Sequence, residues 1–237
     1  MPSEVRHLVD RGQSYPLVRL TGVLDAETAG PVRSTLLDVL AGQPEALVVD
    51  VAELRVPQDT ALTTLREVFD ETRDWPAARL ALCGADGGVR WGSTGWLVHA
   101  DQASAYTALG PPGTGLRETL ELEPVVGAAR RARELIAELC QRWGLADLAG
   151  DAGIVATEMV NNVVAHARTP MRLLLARLGD AVSVAVRDDS PDQPRFSGPV
   201  APTAYGGRGL LLIDAVAARW GQLGLPGGKV VWALMTR

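Results

Sequence analysis

One stretch limits what this chain can fold into more than any other: Asp151 to Ala167, reading DAGIVATEMVNNVVAHA. Glu158, Asn162 and His166 recur at every fourth position, so on an α-helix they form one polar ridge. At about 100° per residue, Ile154 and Ala165 flank that ridge on one side and Met159 and Val163 on the other, with Val160 and Val164 behind. A solvated helix face would be broad and rich in Lys, Glu and Arg. Here a carboxylate and an amide share a narrow stripe on an otherwise apolar helix, which predicts that they face a partly buried site. Burying such groups unpaired costs on the order of a few kcal/mol. A metal–phosphate ligand would offset that cost, and so would bonds among the polar groups or to water in an ordinary core helix.

The downstream sequence bears on this choice. Ala181–Arg187 (AVSVAVR) alternates with period two, which predicts a strand, and it runs into Asp188-Asp189-Ser190-Pro191. After a segment with four prolines, Gly206-Gly207-Arg208-Gly209-Leu210 opens an apolar helical stretch. A glycine loop entering a helix suits phosphate, because backbone N–H groups can approach and the helix N-terminus favours anions. Each piece alone has a plain structural reading: a helix-entry turn at Gly206–Gly209, and a strand-end turn at Asp188. Their order, E-x-x-x-N, then D-x-S, then GRGL, is more specific than any one of them.

In that order these residues resemble the three ATP-binding boxes of the GHKL ATPases, in particular the bacterial anti-sigma-factor serine kinases. The resemblance runs from about Leu116 to Arg237, including AARRARELIAELCQRWGL and the ending GGKVVWALM. It implies a Bergerat-type α/β sandwich that binds ATP and Mg²⁺. By that resemblance Asn162 ligates Mg²⁺, Glu158 is the general base towards a protein hydroxyl, and Asp188 accepts a hydrogen bond from the adenine amino group. Gly207 and Gly209 cradle phosphates, and His166, Ser190, Arg208 and Leu210 complete the implied ATP-binding set. The residue types suit the roles, since Mg²⁺ takes hard oxygen ligands and a carboxylate can accept a nucleophile's proton. Three departures stand out. Asn161 sits where relatives commonly have Thr, Val230 sits where many have a Thr supporting the adenine site, and the Ser190–Gly206 lid segment is short. They leave phosphotransfer open.

The chain has 237 residues, enough for two domains, and its 47% hydrophobic content is that of a chain with a core. A net charge of −5 gives no footprint for nucleic acid. Lys229 is the only lysine, which excludes a GxxxxGK[ST] loop. Cys83 and Cys140 are expected to be buried thiols, and His7, His99 and His166 are too dispersed for a metal cluster. The opening residues lack the apolar core of a signal peptide and no apolar run reaches membrane-spanning length. The expected location is cytoplasmic.

Gly110-Pro111-Pro112-Gly113 marks a loop after a short helix (DQASAYTAL), and the expected domains are 1–112 and 113–237. In the first, strands are expected at Tyr15–Leu24, Ala46–Val51 and Ala78–Cys83, with helices at Ala26–Leu40 and Thr60–Thr72, hence an α/β domain. Gly84–Gly95 reads as a loop whose Trp91, together with the nearby Trp96, is a candidate partner surface. The segments LTGVLDAETA, LVVDVAELRVPQDTALTTL and LALCG resemble the STAS domain of anti-sigma-factor antagonists, in which a D-S-[ST]-G-L turn carries a phosphorylated serine. Aligned without gaps, Gln58-Asp59-Thr60-Ala61-Leu62 places Asp59 at the acceptor position. A one-residue shift would place Thr60 there, and Asp59 would otherwise be an ordinary helix cap.

Two functions are therefore expected to compete. The first is an ATP-binding regulator of the serine/threonine kinase type, controlling a sigma factor or a STAS-type antagonist. The second is a non-catalytic interaction switch in which Asp59 supplies a fixed negative charge, about half that of phosphoserine. A homodimer is compatible with either, and neither requires a membrane.

Overall fold

Alternation of apolar strands with amphipathic helices produces the α/β class expected from the sequence. The computed structural model describes residues 4–76, 78–85, 89–113, 116–190 and 208–237. The chain divides into two units, Met1–Thr114 and Gly115–Arg237.

In the first unit β1 (Val5–Asp10), β2 (Leu17–Val23), β3 (Ala46–Arg55), β4 (Arg79–Cys83) and β5 (Leu97–His99) form one sheet in that order. Only β1 is antiparallel to its neighbour; the β2–β5 pairs are parallel. The parallel order follows from the crossovers: α1 (Ala29–Leu40) joins β2 to β3 and α2 (Thr63–Thr72) joins β3 to β4. A third helix, α3 (Gln102–Leu109), follows β5. Val48 and Val49 at the centre of β3 are fully buried, as a strand covered on both faces requires. Asp101 caps α3 reciprocally with Ser104, its carboxylate accepting from the Ser104 N–H at 2.7 Å.

Three expectations for this unit are corrected. The segment expected as a loop contains a 3₁₀ turn at Val89–Thr94, and neither tryptophan forms a partner surface. Trp91 and Trp96 are 2% and 4% exposed, and the Trp96 indole N–H donates to the Leu65 carbonyl at 2.9 Å. Glycine-rich composition made the segment look like surface, but two large apolar rings are removed from water with far more gain than a loop's polarity suggests. Nor is Asp59 a helix cap. Gln58 holds that position, and Asp59 is the first residue of a 3₁₀ turn, Asp59–Leu62, that leads into α2.

The second unit is an antiparallel sheet carrying helices. Its strands are β6 (Arg117–Leu122), β7 (Met171–Leu178), β8 (Ala181–Asp188), β9 (Arg219–Leu225) and β10 (Gly228–Thr236), in spatial order β6-β7-β8-β10-β9. Its helices are α4 (Ala128–Arg142), α5 (Ala149–Asn162) and α6 (Arg208–Val216). Two tight connections set the registers: Leu178 pairs with Ala181 across Gly179-Asp180, and Leu225 with Gly228 across Pro226-Gly227. On α4 the buried residues Ala128, Ala132, Ile136, Leu139 and Cys140 recur at helical spacing. They meet Val155, Met159 and Val160 of α5 and Val182, Val184 and Val186 of β8 in one core. Among the described residues no helix is long and apolar enough to cross a membrane.

Cys83 and Cys140 are both buried free thiols, as expected. Burial, with Asp50 and Asp101 adding, pushes the Cys83 thiol up to about 12, and burial raises Cys140 too. At pH 8 only about one Cys83 in ten thousand is then thiolate, against a free thiol near 8.5. Iodoacetamide at pH 8 should therefore leave both cysteines of the native protein unmodified and label both rapidly in denaturant, as read by intact mass.

Candidate functional site

The polar ridge is real, and it lies along the edge of the buried face of α5. Ala152, Val155, Ala156, Met159, Val160 and Val163 enter the core, while Asp151, Ile154 and Asn161 are exposed. Glu158 and Asn162 fall between these sides and are half-buried. The helix changes pitch just after Asn162. Val163–Ala167 form a π turn closed by the Arg168 N–H donating to the Val163 carbonyl at 2.7 Å, with Arg168 left-handed at φ 56°. Such single wide turns recur at functional sites. The four-residue spacing that aligned His166 with Asn162 therefore does not hold through this turn, and His166 is exposed.

α6 starts directly against Glu158 and Asn162. A Cβ on Gly209 would fall 2.8 Å from Glu158 Oε2 and 3.5 Å from Asn162 Nδ2. Glycine at this position lets the first turn of α6, with N–H groups that have no partner in the helix itself, approach the carboxylate and the amide. The Leu210 side chain points the other way, into the core beside Ile213, so only its backbone can serve a ligand here. Gly206 and Gly207 lie outside the described residues, and so does the Arg208 side chain.

Asp188 is 1% exposed and stands at the last position of β8. Its Oδ1 accepts from the Ser190 N–H at 2.8 Å and from Lys229 Nζ at 2.9 Å. The strand-end turn and the acidic site are thus the same feature: the carboxylate closes the turn at Ser190 and still points inward. Lys229, not among the residues expected from the sequence, joins Asp188 there. It sits directly opposite Asp188 in the β8–β10 register, and its ammonium is also 3.5 Å from the Ser190 carbonyl. Its rank as the only lysine, just after two glycines, was the available signal. Gly228 matters because a Cβ there would collide with the Asp188 carbonyl.

The register corrects one expectation. Val230 pairs with Arg187, and Val231, not Val230, enters the core beneath the helices. Because side chains alternate along a strand, Val230 faces away from Asp188. The departure that bears on the acidic site is Lys229.

The donor set fits a magnesium–phosphate group. Asn162 offers a hard amide oxygen, and neither Asn162 nor Glu158 has a hydrogen-bond partner among the described residues. Both lie against the start of α6, within 4 Å of where a Cβ at position 209 would sit. Among the described residues no three His, Cys, Asp or Glu side chains form a metal cage, so the metal would depend on the phosphates for further ligands.

Residues 122–234 match the family model described as the histidine kinase-like ATPase domain. Similar solved structures include an anti-sigma factor antagonist from Mycobacterium paratuberculosis, at 20% identity over 44% of this chain and 93% of that one, TM-score 0.38. The RsbU and RsbW domains of Rv1364c from Mycobacterium tuberculosis match at 20% identity over 53% of this chain and 32% of that one, TM-score 0.39. The anti-sigma factor antagonist SpoIIAA in its unphosphorylated form matches at 13% identity over 46% of this chain and 100% of that one, TM-score 0.35. At these identities and scores the three likenesses carry no functional weight. No curated protein sequence matches. The second unit of the chain is a histidine kinase-like ATPase domain of the GHKL type. In the first unit, LTGVLDAETA begins on β2 and LVVDVAELRV runs along the adjacent parallel strand β3.

Replacing Gly209 by Val should push the start of α6 off Glu158. We expect Mg–ATP affinity to fall by about tenfold or more, with far-UV circular dichroism unchanged.

Proposed function

We propose that this chain is an ATP-binding regulator of the anti-sigma-factor serine kinase type. Mg–ATP would lie along α5 between Asp188 and the start of α6, and its binding would control a protein partner, a sigma factor or a STAS-type antagonist. The observation that carries this reading is the placement of Gly209 against both Glu158 and Asn162, within residues that match an ATPase family model.

Each residue then has a chemical task. The Asn162 amide oxygen would take a magnesium position, and the first turn of α6, which begins at Arg208, would receive the phosphates. Bound Mg–ATP supplies a transferable phosphoryl group whose charge the metal offsets. Glu158, half-buried beside that turn, accepts the proton of an incoming serine or threonine hydroxyl. Asp188 and Ser190 hold the adenine end. A cytoplasmic setting, where ATP is available, suits this reading, and the division of labour follows 1–112 and 113–237.

A second reading is favoured by the surface around Asp59. Its carboxylate is 69% exposed on the first position of the turn before α2, and Arg90 Nη1 lies 3.5 Å away. An acidic group there presents a fixed charge on an exposed turn, next to Thr60 in sequence. In that reading the chain is a non-catalytic switch.

Phosphotransfer separates the two. With γ-labelled ATP and a serine-bearing STAS antagonist, the first reading predicts acid-stable label on serine. Glu158→Gln should then lower transfer by about a hundredfold or more while nucleotide binding persists. Binding without any transfer would favour the switch.

A further inference from the structure

The Asp188–Lys229 pair is an unusual feature of a nucleotide site, because it sets a cation against the carboxylate that a base would approach. Lys229 is 8% exposed and Asp188 1%. A buried pair of this kind gives modest net stability at best, since both charges are taken out of water. Its geometry is more informative than its energy. Asp188 Oδ1 already receives two donors, the Ser190 N–H and the Lys229 ammonium. One carboxylate oxygen, Oδ2, therefore remains as an acceptor. The ammonium has three N–H groups. One is spent on Asp188 and a second is directed at the Ser190 carbonyl over a long 3.5 Å, which leaves a third. Among the described residues, the pair thus offers one acceptor next to one charged donor.

We infer that Lys229 is a base-reading residue that donates to N1 of adenine while Asp188 Oδ2 accepts from the 6-amino group. This rests on the proposed placement of ATP in the site. The adenine edge presents one donor beside one acceptor, the complement of what Asp188 and Lys229 leave open. A guanine edge presents two donors and one acceptor, and the single remaining carboxylate oxygen cannot satisfy both donors. An unmatched buried polar group is a strong ground for rejection. The β8–β10 register fixes the pair: position 229 lies opposite position 188, and Gly228 allows the close strand approach beside it.

The test compares ADP with 1-deaza-ADP, in which N1 is replaced by C–H, on the wild-type full chain by calorimetry. A charge-assisted hydrogen bond lost at N1 predicts that 1-deaza-ADP binds about ten- to a hundredfold more weakly than ADP. GDP should bind more weakly still. In Lys229→Met, ADP should weaken to the level of 1-deaza-ADP and the two ligands should become indistinguishable. Folding of the variant is checked by circular dichroism, and the wild-type comparison stands whether or not the variant folds. Equal affinity of ADP and 1-deaza-ADP for wild type would overturn the inference and leave the ATP reading intact. Tighter ADP binding by Lys229→Met would also overturn it, making Lys229 a plug. No ADP binding by folded wild type would overturn both.

Discussion

The second unit depends on α5 facing two environments at once. Its apolar stripe, from Ala152 to Val163, is held in the core against α4 and β8. The rim of that stripe carries Glu158 and Asn162 against the start of α6, which comes this close because position 209 has no side chain. The two demands are coupled, because the packing that fixes the rotation of α5 also fixes the direction of its polar rim. The π turn at Val163–Ala167 then ends the ridge, so the polar groups that remain aligned are those nearest α6.

Asp188 plays the corresponding part on the sheet. It is the last residue of β8, aimed to the helix side by strand alternation, and fixed by the Ser190 N–H and Lys229. Two glycines permit close approaches here: Gly209 admits the start of α6 beside Glu158, and Gly228 admits β10 beside Asp188. In the first unit the acidic turn at Asp59 is exposed, with Arg90 Nη1 3.5 Å from its carboxylate.

Much of this was legible in the sequence because periodicity reports burial directly. The α5 ridge, the β8 alternation and the α/β order of the first unit follow from spacing alone. Short or edge elements were less legible. β1, β5 and β6 are six residues or fewer, and several of their positions are exposed, so no alternation marks them clearly. The fate of Trp91 and Trp96 depends on tertiary packing over α2, which local composition does not encode. His166 shows the limit of period counting, because one wide turn shifts everything beyond it. Lys229 shows another: its role depends on which strand lies opposite, and β8 and β10 are separated by the whole of α6 and β9. Register is a long-range property, so Val230 drew attention that belonged to its neighbour.

The central claim is that Asn162, brought beside the start of α6, makes a working magnesium–nucleotide site. It is tested most directly by calorimetric titration of Mg–ATP into wild type and Asn162→Ala. The account predicts saturable one-to-one binding to wild type that depends on Mg²⁺, and loss of that metal dependence in the variant with its fold intact. Absence of binding to well-folded wild type, or an unchanged metal dependence in Asn162→Ala, would contradict it.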